Sequence, residues 1–376
     1  MKYCKRCMSM DTRYGMKLDE NGICGGCRYY DSQESINWDK RKQELDEIIK
    51  TACKKAKENG SNYDCCIGVS GGKDSTFLAG FIKENYDINA LLINNGSAPI
   101  SKNGKHNIQN LRNMGYDLLQ FWADPIVSKK LALYSFENFG HICKPLEHMM
   151  FSSLTQTALN YNIPLIIMGE NGDLVWGTNY GKPDDNWFNM IYTNTNKDML
   201  DANLWEIEGV DKAKLNAYRF PSFEKIKAQG LRAIFLQYYI KEYSPVFNAD
   251  YSVARGMRGR YDDGLEDIGR YRIFSSVDDD LMIANEMLKY LKNGFGRAHD
   301  DAVFDIREGR MSREDAIKLV EKYDGLCADK YIKYACDYLG ITQDYFYEVV
   351  DKWVNKKLFT KVNGKYVRNF KVGQDF

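Results

Sequence analysis

The segment at residues 70–75, with the sequence SGGKDS, constrains this chain more than any other. It follows an apolar run at residues 65–69 that is too short for a helix, and it precedes a helical apolar pattern at residues 77–82. Two glycines let a backbone approach a ligand closely, and a helix start offers unpaired N–H groups and about half a positive charge. The segment therefore predicts a phosphate-binding turn between a strand and a helix.

The surrounding chain alternates between short apolar runs and helical patterns. Uninterrupted apolar strands separated by helices predict a parallel sheet covered on both faces, with right-handed crossovers. The predicted order is β-α-β-α-β-α-β, preceded by a helix at about 38–57, with strands at residues 65–69, 90–93, 118–122 and 164–168.

Beyond the fourth predicted strand the pattern changes. Residues 170–230 are rich in polar and aromatic residues and have weak periodicity. From about residue 231 we expect mostly helix to about 355, broken near 244–276 and 293–310. Ser312, with an acid three residues later, predicts a helix start.

The chemistry of the 70–75 segment suits a pyrophosphate. Lys73 supplies a full positive charge, and the two serine hydroxyls supply further donors. The spacing between the glycines and the lysine excludes a Walker A loop. The segment instead resembles the SGGxDS signature of the PP-loop ATP pyrophosphatases.

That resemblance implies a PP-loop fold of the adenine nucleotide alpha hydrolase type, and an enzyme that cleaves ATP between its α- and β-phosphates. AMP would be transferred to a carbonyl or carboxyl oxygen. Lys73 and Asp74 would be catalytic, and Asp74 would help to place Mg2+.

Two further turns follow predicted strands, at residues 94–96 and 169–172. Ligands of such sheets lie beyond the carboxyl ends of the strands, and PP-loop enzymes usually place adenine and ribose after the second strand. Purely structural turns are the alternative for both segments. The full set predicted to bind ATP is Ser70, Gly71, Gly72, Lys73, Asp74, Ser75, Asn94, Gly169 and Glu170.

Four cysteines near the N-terminus form two CxxC pairs, Cys4 with Cys7 and Cys24 with Cys27, separated by sixteen residues. This spacing is typical of a zinc site, because four thiolates complete a closed tetrahedron around Zn2+. Metal binding supplies about 10–16 kcal/mol of folding free energy in comparable small modules. An iron–sulfur cluster and a redox-active pair remain the alternatives.

Other stretches resemble the N-acetyl sugar amidotransferases, which act in bacterial pathways for lipopolysaccharide O-antigen sugars and flagellar nonulosonic acids. The resemblance rests on residues 2–7, 11–13, 22–27, 141–145, 169–171, 294–297, 305–311 and 323–325. The chain departs from the family pattern at residues 8–10. Residues 180–220 match no part of that pattern, so they do not indicate which sugar is modified.

The resemblance implies conversion of an acetamido group to an acetamidino group on a nucleotide-linked sugar. ATP would adenylate the amide oxygen, ammonia would attack the activated carbon, and AMP would leave. The family also implies separate partner chains, a glutamine amidotransferase and a cyclase-like subunit, that supply the ammonia.

Three arginines, Arg297, Arg307 and Arg310, are candidates for binding a nucleotide-sugar pyrophosphate or a sugar carboxylate. The guanidinium fork matches the geometry of such oxygens. Arginines that are solvated or held in salt bridges are the alternative.

Composition limits the partners. Lys plus Arg and Asp plus Glu both number 52, so no strong field attracts nucleic acid or an anionic membrane. No run approaches the roughly 20 apolar residues of a membrane span, and nothing at the N-terminus is typical of a signal peptide. We expect a cytoplasmic protein whose thiols stay reduced.

These features predict three regions: a four-cysteine zinc module at 1–35, a PP-loop domain at 36–190, and a mostly helical substrate or partner region at 191–376. A tRNA-thiolating PP-loop enzyme is the alternative function, although it would need a basic face. A non-enzymatic, zinc-bearing nucleotide sensor is a second alternative.

Overall fold

The architecture is taken from a computed structural model of the chain. It describes residues 1–96, 100–177, 188 and 205–376. The predicted boundary between residues 190 and 191 lies outside the described residues. The three-region division stays a prediction.

A five-stranded parallel sheet forms the centre of the region that was predicted to be a PP-loop domain, in the order β3-β2-β1-β4-β5. All four strand pairs are parallel, which confirms the predicted fold class. The strand order reverses between β1 and β4, so a crevice opens there beyond the carboxyl ends of the strands. The strands are β1 (Cys65–Gly68), β2 (Ala90–Gly96), β3 (Asp117–Trp122), β4 (Leu165–Met168) and β5 (Arg232–Phe235).

Helices cover both faces of this sheet. The helices of the N-terminal half are α1 (Gly25–Ser32), α2 (Trp38–Glu58), α3 (Lys73–Asn85), α4 (Lys102–Asn113), α5 (Pro125–Phe139), α6 (Lys144–Asn160) and α7 (Gly172–Trp176). Alternate strand residues point to opposite faces. Ile67 packs in the core on the side of α2 and α3, whereas Cys66 packs on the side of α6. This two-sided burial explains why the strands are apolar without interruption.

The C-terminal half is mainly helical. It contains α8 (Phe223–Ala228), α9 (Pro245–Ala254), α10 (Leu281–Asn293), α11 (Arg297–Arg307), α12 (Arg313–Tyr323), α13 (Asp329–Leu339), α14 (Gln343–Trp353) and a hairpin of β6 (Phe359–Val362) and β7 (Lys365–Arg368). The predicted helix start at Ser312 is confirmed, because its side chain accepts a hydrogen bond from Asp315 N.

The predicted helical region contains three errors. Residues 232–235 form β5 at an edge of the sheet, where a short apolar run beside further apolar and aromatic residues resembled a helix. The predicted breaks at 244–276 and 293–310 contain α9 and α11. Polar residues in both helices serve the site described below, and they obscure the apolar period.

The cysteine region packs against the C-terminal helices. Met8 and Met10 are buried in the same core as Leu288 and Phe295. His299, which is almost fully buried, contacts Met8 O through its Nε2 at 2.9 Å. The first residues of the chain therefore have a core, which their own composition did not indicate.

None of the helices in the described ranges is both long enough and apolar enough to cross a bilayer.

Candidate functional site

The predicted phosphate-binding turn at residues 70–75, called the phosphate loop below, joins the central strand β1 to the helix α3. Within it, Ser70 N donates to Ser75 Oγ at 3.3 Å, and Gly72 N donates to Ser70 Oγ at 3.2 Å. Gly71 has a φ of +82°, and a Cβ at this position would lie 3.0 Å from Asn107 Cβ. The turn therefore needs glycine at position 71 both for its backbone conformation and for its close approach to α4.

Lys73 and Asp74 form an ion pair at the first turn of α3. Lys73 is 8% exposed, and the side chains of α9 hold the pair in place. Asn248 Nδ2 donates to Asp74 Oδ1 at 2.8 Å, and Ser252 Oγ donates to Lys73 O at 2.7 Å. Sequence reasoning missed Asn248 and Ser252, because their helix was taken for a break.

The electrostatics favour an ionised Asp74. Burial raises the pKa of this carboxyl, but the Lys73 charge and the Asn248 hydrogen bond outweigh it, and the pKa lies below its ordinary value. Desolvation by the protein groups around the cavity, followed by the nearby Asp74 charge, raises the pKa of Glu170, which lines that cavity. Two carboxylates that interact at the end of a phosphate loop can share a divalent cation.

A cavity of about 450 Å³ opens beside the loop, a volume in the usual range for ligand sites. It lies at the ends of the strands, as the topology predicts. Among the described residues its lining comprises Gly68, Val69, Ser70, Asp74, Ser75, Leu78, Asn95, Leu146, Met150, Phe151, Leu154, Met168, Gly169, Glu170, Gly172, Phe235 and Asp278.

Asn94, which was predicted to bind nucleotide, is buried instead in the sheet. Its Nδ2 donates to Val69 O at 2.8 Å, and its Oδ1 accepts from Gln120 Nε2 at 3.1 Å. The neighbouring Asn95 lines the cavity and accepts a hydrogen bond from Ser153 Oγ at 2.7 Å. Because side chains alternate along a strand, neighbouring residues face different surroundings.

The turn after β4 forms another wall of the cavity, through Gly169 and Glu170. Gln237, just after β5, fixes this turn from both sides. Gln237 N donates to Gly169 O at 3.2 Å, and Asn171 N donates to Gln237 Oε1 at 2.8 Å. The fifth strand therefore positions Glu170 at the cleft.

Of the three predicted arginines, Arg297 is the one whose charge affects the carboxyls beside the phosphate loop. Its charge acts on the carboxyls of both Asp74 and Glu170. Its Nη2 donates to Ser275 Oγ at 2.6 Å, and its Nε lies 3.3 Å from Asp301 Oδ1.

The other two arginines have protein partners. Arg310 pairs with Glu308, and its Nε donates to Asp305 Oδ1 at 2.8 Å. Arg307 is 5% exposed; it donates to Val175 O and, at 3.4 Å, to Cys24 Sγ. These contacts match the alternative of salt-bridged or buried arginines more closely than a sugar site.

The four cysteines converge, with all four Sγ atoms within 4.8 Å of one another. Cys4 Sγ lies 3.9 Å from Cys27 Sγ, and Cys7 Sγ lies 3.6 Å from Cys24 Sγ. Four sulfurs at about 2.3 Å from one zinc ion would be about 3.8 Å apart in a tetrahedron. A four-iron cluster needs wider spacing, since each sulfur then binds a different iron. The cluster can bind a metal ion, and its geometry fits a single one.

Arg307 connects this cysteine centre to the cavity beside the phosphate loop. Val175, its backbone partner, belongs to α7, which begins two residues after Glu170. Trp176 at the end of α7 stacks on Arg13, whose guanidinium carbon lies 3.8 Å from the ring centre. The cysteine region thus packs against the segment that carries Glu170 and stabilises its position.

Comparison with known families identifies the C-terminal region. Residues 268–372 match the family model described as LPS biosynthesis protein WbpG-like, C-terminal domain. The matched range includes three motifs that carried the resemblance to the sugar amidotransferases, at 294–297, 305–311 and 323–325. The match confirms that resemblance. No curated protein matches the chain.

Two solved structures are similar at low sequence identity. The U34-tRNA thiolase NcsA from Methanococcus maripaludis, with its 4Fe–4S cluster, is 14% identical, with 78% of this chain and 86% of that chain covered and a TM-score of 0.32. The NH3-dependent NAD synthetase from Campylobacter jejuni subsp. jejuni NCTC 11168, in complex with nitrate, is 13% identical, with 58% and 93% covered and a TM-score of 0.28. Similarity at this level carries no information on chemistry.

Proposed function

We propose that this chain, which joins a PP-loop sheet to a WbpG-like C-terminal region, is an ATP-dependent amidotransferase of lipopolysaccharide O-antigen biosynthesis. It converts an acetamido group of a sugar, carried by a nucleotide, to an acetamidino group. The observation that carries the proposal is the position of Arg297. This residue of the WbpG-like region contacts Ser275 and Asp301, which line one cavity together with Lys73 of the phosphate loop, so both parts of the chain contribute to one site.

The first step is adenylation of the amide oxygen. The outer phosphates of ATP bind at residues 70–75, where the start of α3 and Lys73 neutralise the negative charge of the departing pyrophosphate. Asp74 and Glu170 are the carboxylates that would hold Mg2+, which supplies charge neutralisation at the phosphates. The adenosine occupies the cavity between the ends of β1, β2 and β4.

The second step is attack by ammonia on the activated carbon, with AMP as the leaving group. The chain receives this ammonia from separate glutamine amidotransferase and cyclase-like subunits. Purified chain should therefore use ammonium salts and fail to use glutamine. Glutamine-dependent turnover by this chain alone would refute the need for partners.

The sugar nucleotide binds next to Arg297, the predicted arginine whose charge acts to lower the pKa of both Asp74 and Glu170. Arg307 and Arg310 hold protein structure in this proposal. An Arg297→Lys variant should bind the sugar nucleotide more weakly, because lysine lacks the planar fork that matches a pyrophosphate.

The cysteine centre holds one structural Zn2+ through Cys4, Cys7, Cys24 and Cys27. Metal analysis should give one zinc and no iron per chain. Because the reaction consumes ATP and the ligands are reduced thiolates, the enzyme works in the cytoplasm.

The test is mass spectrometry of candidate N-acetyl sugar nucleotides incubated with the protein, ATP and an ammonium salt. The proposal expects a product one mass unit lighter, since NH replaces oxygen, and equal amounts of AMP and pyrophosphate. Filter binding of tRNA across a salt series tests the tRNA-thiolating alternative. Tight, salt-dependent binding of tRNA without sugar modification would favour that alternative.

A further inference from the structure

A second, smaller cavity of about 110 Å³ borders the phosphate loop. It and the nucleotide cleft share no lining residue among those described. Lys73 lines the small cavity and Asp74 lines the cleft, so their ion pair forms the partition between the two. The small cavity is lined by Lys73, Pro245, Val246, Ala249, Asp250, Arg272, Phe274, Ser275 and Asp301.

Asp301 of α11 is the unusual member of this lining. It is 2% exposed, and its Oδ1 lies 3.3 Å from Arg297 Nε. Its Oδ2 is buried and has no hydrogen-bond partner within the described part of the chain. A buried carboxylate oxygen without a donor costs free energy, so its presence beside a cavity indicates a ligand that donates a hydrogen bond.

The size and chemistry of the cavity restrict which ligand can bind there. A space of about 110 Å³ admits neither a nucleotide nor a sugar. An unpartnered carboxylate oxygen calls for a donor, and ammonium carries four N–H donors with no acceptor. The charges of Lys73 and Arg272 on the same cavity disfavour a second cation there. Ammonium would therefore tend to lose its proton at this place, and burial raises the pKa of the Asp301 carboxyl, which helps it to accept one.

We propose that this cavity is the ammonia site of the enzyme and that Asp301 accepts the proton of ammonium. The inference rests on the proposed amidotransferase function and assigns it a co-substrate site. Neutral ammonia then passes the Lys73–Asp74 partition to the adenylated amide in the cleft.

Ammonium gives one proton to Asp301 Oδ2 and becomes ammonia. The nitrogen lone pair forms a bond to the activated carbon, and the bond from that carbon to the AMP oxygen breaks, with its electron pair leaving on AMP. The attached nitrogen loses a second proton, which pyrophosphate accepts, and the product is an amidinium.

The experiment compares Asp301→Asn with wild type, using two readouts on the full chain. The first is sugar-dependent exchange of labelled pyrophosphate into ATP, which reports adenylation without ammonia. The second is kcat/KM for ammonium chloride. Asp301→Asn should retain exchange and lose about 100-fold in kcat/KM for ammonium, since the loss of a positioned base typically costs this much. Asp344→Asn, an exposed aspartate of α14, is the matched control and should change neither readout.

Hydroxylamine distinguishes a role of Asp301 in proton transfer from a role of the cavity in admitting the nucleophile. It is mainly uncharged at neutral pH, so Asp301→Asn should use it nearly as well as wild type does. Ala249→Val, which fills part of the cavity from α9, should instead slow both nucleophiles while leaving exchange intact.

Each other outcome overturns the inference. Unchanged ammonium kinetics in both variants would show that ammonia does not use this cavity. Loss of exchange in Asp301→Asn would show that Asp301 serves adenylation or folding. Absence of sugar-dependent exchange in the wild type would remove the proposed function itself, and that result is distinct from the other two.

Discussion

Lys73 lines the small cavity and pairs with Asp74, which lines the larger one. We expect Lys73→Met to reduce kcat by about 10²–10³-fold, the usual cost of removing a group that stabilises transition-state charge. Steady-state pyrophosphate release measures this loss. Lys83→Met, an exposed lysine of the same helix, should keep wild-type activity. A Lys73→Met variant with full activity would exclude phosphate binding by this side chain.

The buried carboxyl of Asp324 should make the stability of the protein depend on pH. Its carboxylate accepts hydrogen bonds from Gly296 N at 2.7 Å and His299 N at 3.1 Å, at the start of α11. Burial nevertheless raises its pKa to about 6. In an unfolded chain the pKa of an aspartate is about 3.9. The folded state therefore binds the proton of the Asp324 carboxyl more tightly than the unfolded state does. Its contribution to stability is present at low pH and is lost as the pH rises from about 4 through 6.

The measurement is urea unfolding at pH 4.5 and 7.5. The free energy of unfolding of wild type, relative to Asp324→Asn, should fall by about 2 kcal/mol over this interval. Glu321→Gln, at an exposed position of α12, should keep the wild-type dependence. The same pH dependence in wild type and Asp324→Asn would disprove the assignment.

At the scale of elements, the parallel strands and the turn between β1 and α3 were predictable from local sequence. Apolar runs such as residues 65–69 report burial on both faces, and residues 70–75 carry their own turn chemistry. Helix α11 was not predictable in this way. Its N-terminus is capped by Asp324, which is distant in the sequence. Its buried Arg307 contacts Val175 and Cys24, and its buried Asp301 lines the small cavity. Local sequence contains no signal for such contacts.

The connection between α1 and α7 predicts an effect of metal removal. Arg307 bonds to Cys24 Sγ and Val175 O, so loss of the proposed zinc ion should free α7 and the turn at Glu170. Chelation should increase amide hydrogen exchange in α1 and α7 and raise the KM for ATP, while exchange in β1 and β2 stays unchanged. Cys24→Ser without chelator should reproduce the pattern. Protection of α7 that survives metal removal would contradict the connection.

At the scale of the whole molecule, the chain termini belong to one core. Met8, fully buried, packs with residues of α10 and α14, and Arg313 Nη1 donates to Cys4 O at 2.9 Å. Met8→Ala should lower the free energy of unfolding by about 2–5 kcal/mol, the cost of a buried cavity, and should destabilise the C-terminal helices as well. Ile126→Ala, 65% exposed on α5, is the control. Unchanged hydrogen exchange in α10 and α14 of Met8→Ala would show an independent module.

The central claim is that ATP activates an amide oxygen by transfer of AMP to it. The direct measurement uses an N-acetyl sugar nucleotide with an ¹⁸O-labelled acetamido carbonyl, incubated with the protein, ATP and ammonium chloride. The claim predicts that the label appears in the phosphate of AMP, beside unlabelled pyrophosphate and an acetamidino sugar. Formation of ADP, or AMP without the label, would contradict it.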